Sequence, residues 1–173
     1  MEVTLGWNRI RAFIFDMDGV LTDGTVIVQN DGQWIRRMHI RDGYALQLAV
    51  RQGYRVAVIS GSDAPPVTER LKLLGIHDIS MKVKDKKSAL ADFVSRYGID
   101  YHEILFMGDD VPDIAAMKTC GIAACPADAA VDVINIANHV SIYNGGSGCV
   151  REVIERVLRS QDRWEDVSHI RSL

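Results

Sequence analysis

The stretch "FIFDMDGVLTDG", residues 13 to 24, brings two acids one residue apart, Asp16 and Asp18, to the end of an apolar run, and follows them with Gly19 and Thr22. A strand that is apolar throughout is buried on both faces. Carboxylates at the end of such a strand are unfavourable unless a cation or a set of hydrogen-bond donors meets them. The stretch therefore points to a metal site or to two acids with divided labour.

Outward from it, apolar runs alternate with helical patterns. Residues 11–15, 55–60, 79–83, 104–108, 122–125 and 140–143 read as short strands. Between them, Asp42 is suited to cap a helix from about Gly43 to Arg51, and Asp63 with Pro65 and Pro66 to start another that ends at Gly75. Further helices fit "DKKSALADFVSRYG", "VPDIAAMKTCG", "ADAAVDVINIAN" and "GCVREVIERVLRS". Strands separated by single helices pair in parallel, so the pattern predicts an α/β fold, a doubly wound parallel sheet in one domain spanning residues 1–173. "TVIVQNDGQWIRRMHI", residues 25–40, breaks the alternation: two β-rich runs surround Asn30-Asp31-Gly32, a hairpin signal.

With 25% charged and 47% hydrophobic residues and a net charge of −3, the composition is that of a globular protein with no general affinity for nucleic acid. No apolar run approaches the ~18 residues of a membrane span. The opening "MEVTLGWNRIRAF" lacks the basic flank and apolar core of a secretory signal, which predicts a cytoplasmic location. Cys120, Cys125 and Cys149 are odd in number and have no C-x-x-C spacing, so they read as small buried apolar residues.

Ligands of a parallel sheet bind beyond the carboxyl ends of its strands. Asp16 and Asp18 lie there, and the period of two predicts that they point the same way. The second strand ends at Ser60-Gly61, Lys86 opens the helix after the next strand, and the fourth strand runs into Gly108-Asp109-Asp110-x-x-Asp113. Each has an ordinary alternative: Asp18 as a turn acceptor, Ser60 or Asp110 as a helix cap, Lys86 as a solvated surface lysine. Their delivery by four segments to one sheet edge favours a joint chemical role.

In these motifs the chain resembles the haloacid dehalogenase superfamily of phosphohydrolases: Asp16-x-Asp18-Gly19-Val20-x-Thr22 matches its first motif, Ser60 its second, Lys86 its third and Gly108-Asp109-Asp110-x-x-Asp113 its fourth. "DGVLTDG", "RDGYALQLA" and "NGGSGCVREV" are similar to its small capless branch, which acts on 3-deoxy-octulosonate 8-phosphate or on sialic-acid-type nonulosonate 9-phosphates. The resemblance implies a Mg2+-dependent phosphomonoester hydrolase working through an aspartyl phosphate, with the octulosonate phosphate of lipopolysaccharide precursor synthesis as substrate and the nonulosonate phosphate as alternative. It implies Asp16 as nucleophile and metal ligand, the Asp18 backbone carbonyl and Asp109 as further ligands, and Asp110 and Asp113 behind them. Asp18 is implied as general acid and base, with Lys86 and Ser60 on the transferring phosphoryl group. A receiver-like signalling domain or an inactive scaffold of the same fold are readings of a different class.

Only 41 residues separate Asp18 from Ser60 and 25 separate Ser60 from Lys86, so no cap domain fits in either interval. The resemblance implies a homotetramer instead, in which the hairpin packs on neighbours and adjacent subunits wall the site; Trp34, Ile35 and Met38 supply apolar contact. It also implies a substrate site lined by Thr22, His39, Ile40, Arg41, Asp42, Gly43, Gly61, Ser62 and Arg70, besides Lys86. Gln47, Ser62 and Ser147 depart from the pattern, standing where arginines are common. The C-terminal stretch 161–173, with "RWEDVSHIRSL", reads as too polar for core and is a candidate to reach a neighbouring site.

Overall fold

The computed structural model describes residues 5–164. Strand β1 (Ala12–Phe15) is the centre of a six-stranded sheet in the order β5-β4-β1-β6-β7-β8, all pairs parallel. The other strands are β4 (Arg55–Ile59), β5 (Asp78–Ser80), β6 (Ile104–Met107), β7 (Ile122–Cys125) and β8 (His139–Val140). The chain moves outward from β1 to β4 and β5 on one side, then to β6, β7 and β8 on the other, which puts the switch in winding direction beside β1. A ligand crevice opens at such a point.

All four residues of β1 are buried, and their alternation builds two cores. Phe13 and Phe15 face α1 (Ile40–Arg51), α2 (Pro65–Leu73) and α6 (Cys149–Ser160). Ala12 and Ile14 face α3 (Lys86–Tyr97), α4 (Ile114–Met117) and α5 (Val131–Ile134). Helix α6 shows the pattern most plainly: Val150, Val153, Ile154, Val157 and Leu158 are buried at helical spacing, while Glu155 pairs with Arg151 and Arg159 on the opposite face. Helix α3 starts where Asp85 accepts hydrogen bonds from the Lys87 and Ser88 N–H groups, and this fixes Lys86 as its first residue.

Several elements differ from expectation for reasons of tertiary contact. Helix α1 begins at Ile40 after His39, and Asp42 sits inside its first turn because its carboxylate is drawn across to the start of α6. Helix α2 begins at Pro65 after Ala64, while Asp63 pairs with Lys82 at 2.7 Å. The stretch after β6 is a 3-10 turn, Val111–Asp113, followed by the short α4, and the stretch after β7 keeps one helical turn in α5. Trp164, expected in a polar tail, is 9% exposed and closes the first core beneath Tyr44 and the Arg151 and Arg159 guanidinium groups. Gln161 holds that end in place by donating to the Trp7 and Ile10 carbonyls. Residues 165–173, the rest of that tail, lie outside the described residues. The three cysteines are free, and burial raises the pKa of each thiol.

The expected hairpin forms between β2 (Ile27–Val28) and β3 (Trp34–Ile35), with Ile27 opposite Ile35 and Val28 opposite Trp34. Its base is closed by a bridge between Thr22 and Met38. Both of its faces are open: Ile27 is 59% exposed, Val28 64% and Trp34 59%. Among the described residues there is no cap domain over the sheet, and no helix is long and apolar enough to cross a membrane.

Candidate active site

Where β1 ends, the Asp16 N–H donates to the Met107 carbonyl of β6, which continues the ladder one residue and aims the Asp16 side chain over the sheet edge. The chain then leaves the strand in a single wide turn over Met17–Leu21. Gly19 has φ +89°, and a Cβ there would lie 2.0 Å from Asp109 Oδ2, so only glycine allows the turn to pass the second acid motif. The late "NGGSG" loop buttresses this turn. Gly146 N–H donates to the Val20 carbonyl, and a Cβ at Gly145 would meet the Gly19 carbonyl oxygen at 1.9 Å.

Two other segments, the start of α3 and the turn after β6, converge on Asp16. Lys86 is 7% exposed, and its Nζ lies 2.8 Å from Asp16 Oδ1 and 2.6 Å from Asp113 Oδ1. Burial alone would lower the Lys86 pKa, but Asp16 and Asp113 reverse this and raise it, so the ammonium is secure. The solvated-lysine alternative is thereby excluded. Asp113, 1% exposed, uses its other oxygen to accept from the Asp109 and Asp110 N–H groups, so both its oxygens are engaged in holding the motif. Asp110 is exposed and accepts from the Val111 N–H, the capping alternative noted above.

One oxygen each of Asp16, Asp109 and Asp113 lie within 4.8 Å of one another. Burial, with Asp113 adding to it, pushes Asp16 up to about 6. Burial, then Asp16 and Asp113, push Asp109 up to about 8. Asp109 Oδ1 is buried without a hydrogen-bond partner. Fully ionised, the three carboxylates would exceed the one ammonium by two negative charges, which on top of burial is why Asp109 is pushed up so far, and an orphaned acceptor lies among them. The donor set fits a hard divalent cation.

Ser60 is 1% exposed and does not cap α2, which starts five residues later. Its Oγ accepts from the Ser62 N–H at 3.1 Å, leaving its own O–H to donate. Asp18 lies beyond the strand, in the turn Met17–Leu21, so the period of two does not set its direction and its partners do. Arg36, from the foot of the hairpin, donates to Asp18 Oδ1 at 2.7 Å and to Oδ2 at 3.2 Å, and Ser62 Oγ donates to Oδ2 at 2.7 Å. Nothing in the sequence reading singled out Arg36; a cation 18 residues beyond Asp18 in a β-ribbon carries no local signal.

The expected substrate-lining residues divide. His39 and Arg41 line a cleft of about 530 Å³ with Ser147 and Arg151, whereas Ile40 and Arg70 line one of about 550 Å³ against Trp34, Ile35 and Met38 of the hairpin. Gly43 faces Arg70, whose Nη2 lies 3.3 Å from where a Cβ would be, and Gly61 is exposed beside Ser60. Thr22 is fully buried, with its hydroxyl accepting from the Gly19 and Gly24 N–H groups, which makes it a shaper of the loop out of reach of a ligand. Asp42, 2% exposed, accepts from the Arg151 N–H at 2.8 Å and ties α1 to α6.

The chain is 34% identical over 156 residues to the 3-deoxy-D-manno-octulosonate 8-phosphate phosphatase KdsC of Haemophilus influenzae, covering 90% of this chain and 87% of that one. The family model for haloacid dehalogenase-like hydrolases matches residues 39–121. This chain belongs to the haloacid dehalogenase-like hydrolases. Within that family, the crystal structure of the corresponding phosphatase of Yersinia pestis superposes with a TM-score of 0.92 at 30% identity, over 95% of this chain and 89% of that one. That of Moraxella catarrhalis, in complex with a magnesium ion, a phosphate ion and a KDO molecule, superposes at 0.89 and 30% identity, over 92% and 91%. As a hydrolase of this family, the chain has its first acid pair outside the matched span, so Asp16 and Asp18 rest on their geometry here.

Proposed function

We propose that the chain is a Mg2+-dependent phosphomonoesterase that releases phosphate from 3-deoxy-D-manno-octulosonate 8-phosphate through an aspartyl-phosphate intermediate. The observation that carries the reading is Lys86, buried between Asp16 and Asp113 beside the orphaned Asp109 oxygen. An ion pair of this depth with surplus carboxylate is poor as a stabilising device and apt as a site for a dianionic ester and its cation. The substrate comes from the relatives' names and from their similarity over most of both chains.

Asp16, Asp109 and the Asp18 carbonyl would hold the cation, which supplies the positive charge that lets an anionic nucleophile approach a phosphate dianion. Asp16 attacks phosphorus and carries the phosphoryl group. Lys86 adds fixed positive charge next to it, and the free O–H of Ser60 donates to a phosphoryl oxygen. Asp18 gives a proton to the departing sugar alkoxide and then takes one from the water that hydrolyses the aspartyl phosphate. Asp113 holds Lys86 and the Asp109 backbone in place. The open apolar hairpin supports a homotetramer in which neighbours cover it, because a two-stranded ribbon is marginal without something to pack on.

The test is phosphate release, with Mg2+ present, across eight- and nine-carbon keto-sugar phosphates and common metabolites. The octulosonate phosphate is expected to give the highest kcat/KM, and Asp16→Asn to abolish turnover with the fold intact. Faster release from a nine-carbon ester would overturn the substrate, and turnover by Asp16→Asn would overturn the nucleophile.

A further inference from the structure

The hairpin reaches the catalytic centre through one side chain. Its apolar residues point outward, yet the Arg36 side chain is only 4% exposed, and its planar fork clasps both oxygens of Asp18. Arg36 Nη1 also donates to the Trp34 carbonyl, which ties the guanidinium to β3 itself. Neighbouring Arg37 shows what an ordinary ribbon arginine does: it is 84% exposed and stands 3.9 Å from Asp23. Ser62 Oγ completes the clasp on Oδ2, and Thr22 Oγ1 donates to Oδ1 at 3.4 Å. The Asp18 side chain itself stays 29% exposed. A two-point guanidinium clasp fixes both the position and the torsion of a carboxylate, which a single hydrogen bond does not.

We propose that Arg36 is a positioning residue that aims Asp18 as the proton acceptor for hydrolysis of the phosphoenzyme, so that the hairpin does for this uncapped chain part of what a cap would do. The inference rests on the proposed role of Asp18. In the step concerned, a water oxygen bonds to phosphorus, the bond from phosphorus to the Asp16 oxygen breaks, Asp16 departs as carboxylate, and the proton from water passes to Asp18. Displacing a catalytic group by an ångström costs about a hundredfold in rate.

The test uses 4-nitrophenyl phosphate with Mg2+, because its leaving group departs without a proton and isolates the second half of the reaction. Arg36→Met is expected to release about one nitrophenolate per site in a burst, followed by a steady rate about a hundredfold below wild type. Arg36→Lys, with the charge but no fork, falls between. Ser62→Ala, which keeps the guanidinium, gives the same burst with a smaller loss and carries the test if Arg36→Met does not fold. A wild-type steady rate in Arg36→Met, or loss of rate without a burst in folded Arg36→Met and Ser62→Ala, overturns the proposal. An inert wild type overturns the phosphatase reading and this one with it, whereas an active wild type with unchanged variants overturns this one alone.

Discussion

Removing the cation should make the stability of the fold depend on pH in a specific direction. Asp109 is pushed up to about 8 by burial and by Asp16 and Asp113, and Asp16 to about 6. A carboxyl whose folded pKa is raised stabilises the fold while it holds its proton, and that stability is lost as pH rises through the folded value. Asp16 has given up most of its contribution by about pH 6, where it is half ionised, so between pH 6 and 8 most of the remaining fall belongs to Asp109. Each pH unit is worth about 1.4 kcal/mol for one fully shielded group. Over two units that is about 3 kcal/mol, which solvent reaching the partly exposed Asp109 reduces to roughly 1.5 kcal/mol. For a chain of this length the melting temperature should fall by ~3–6 °C from pH 6 to pH 8 in chelator. Saturating Mg2+ should flatten the slope, because both carboxylates then ionise against the cation. Differential scanning calorimetry in chelator and in Mg2+ measures both curves, and Asp109→Asn should abolish the chelator slope. A slope that survives in Asp109→Asn, or a Mg2+ stabilisation that does not grow with pH, would refute the reasoning.

Lys86→Met strands Asp16 and Asp113 in the interior, and denaturant titration in chelator at pH 8 should show a loss of about 3–5 kcal/mol together with lost turnover; unchanged stability would remove the ion pair from the account. Gly19→Ala places a methyl 2.0 Å from Asp109 Oδ2 at a positive φ, so calorimetric titration with Mg2+ should find binding abolished or severely weakened. Trp34→Asp puts a charge on the open hairpin face, and sedimentation velocity should show a species smaller than wild type, with activity falling alongside; wild-type assembly would rule that face out as the contact.

The elements that position the site were largely legible, because they follow from short-range rules. Four fully apolar residues before Asp16 can only be a central strand, and Lys86 follows a capping aspartate, Asp85, whose geometry fixes the helix start. Gly108-Asp109-Asp110-x-x-Asp113 closes a second such strand. Sequence alone thus determined the parallel sheet, the hairpin, the absence of room for a cap and the arrival of Asp16, Ser60, Lys86, Asp109 and Asp113 at one edge.

What tertiary structure decided was where side chains went once the strands had ended. Asp18 took its place from a turn and a guanidinium of the hairpin and not from the strand period, because β1 ended at Phe15. Asp42 passed from helix cap to inter-helix tie because the start of α6, 109 residues away in sequence, offered an unpaired N–H. Trp164 entered the core because Tyr44, Arg151 and Arg159 formed a lid for its ring that no local polarity could foretell. Strand and helix periods are properties of neighbouring residues, whereas these three placements depend on partners that only the packed chain brings within a few ångströms.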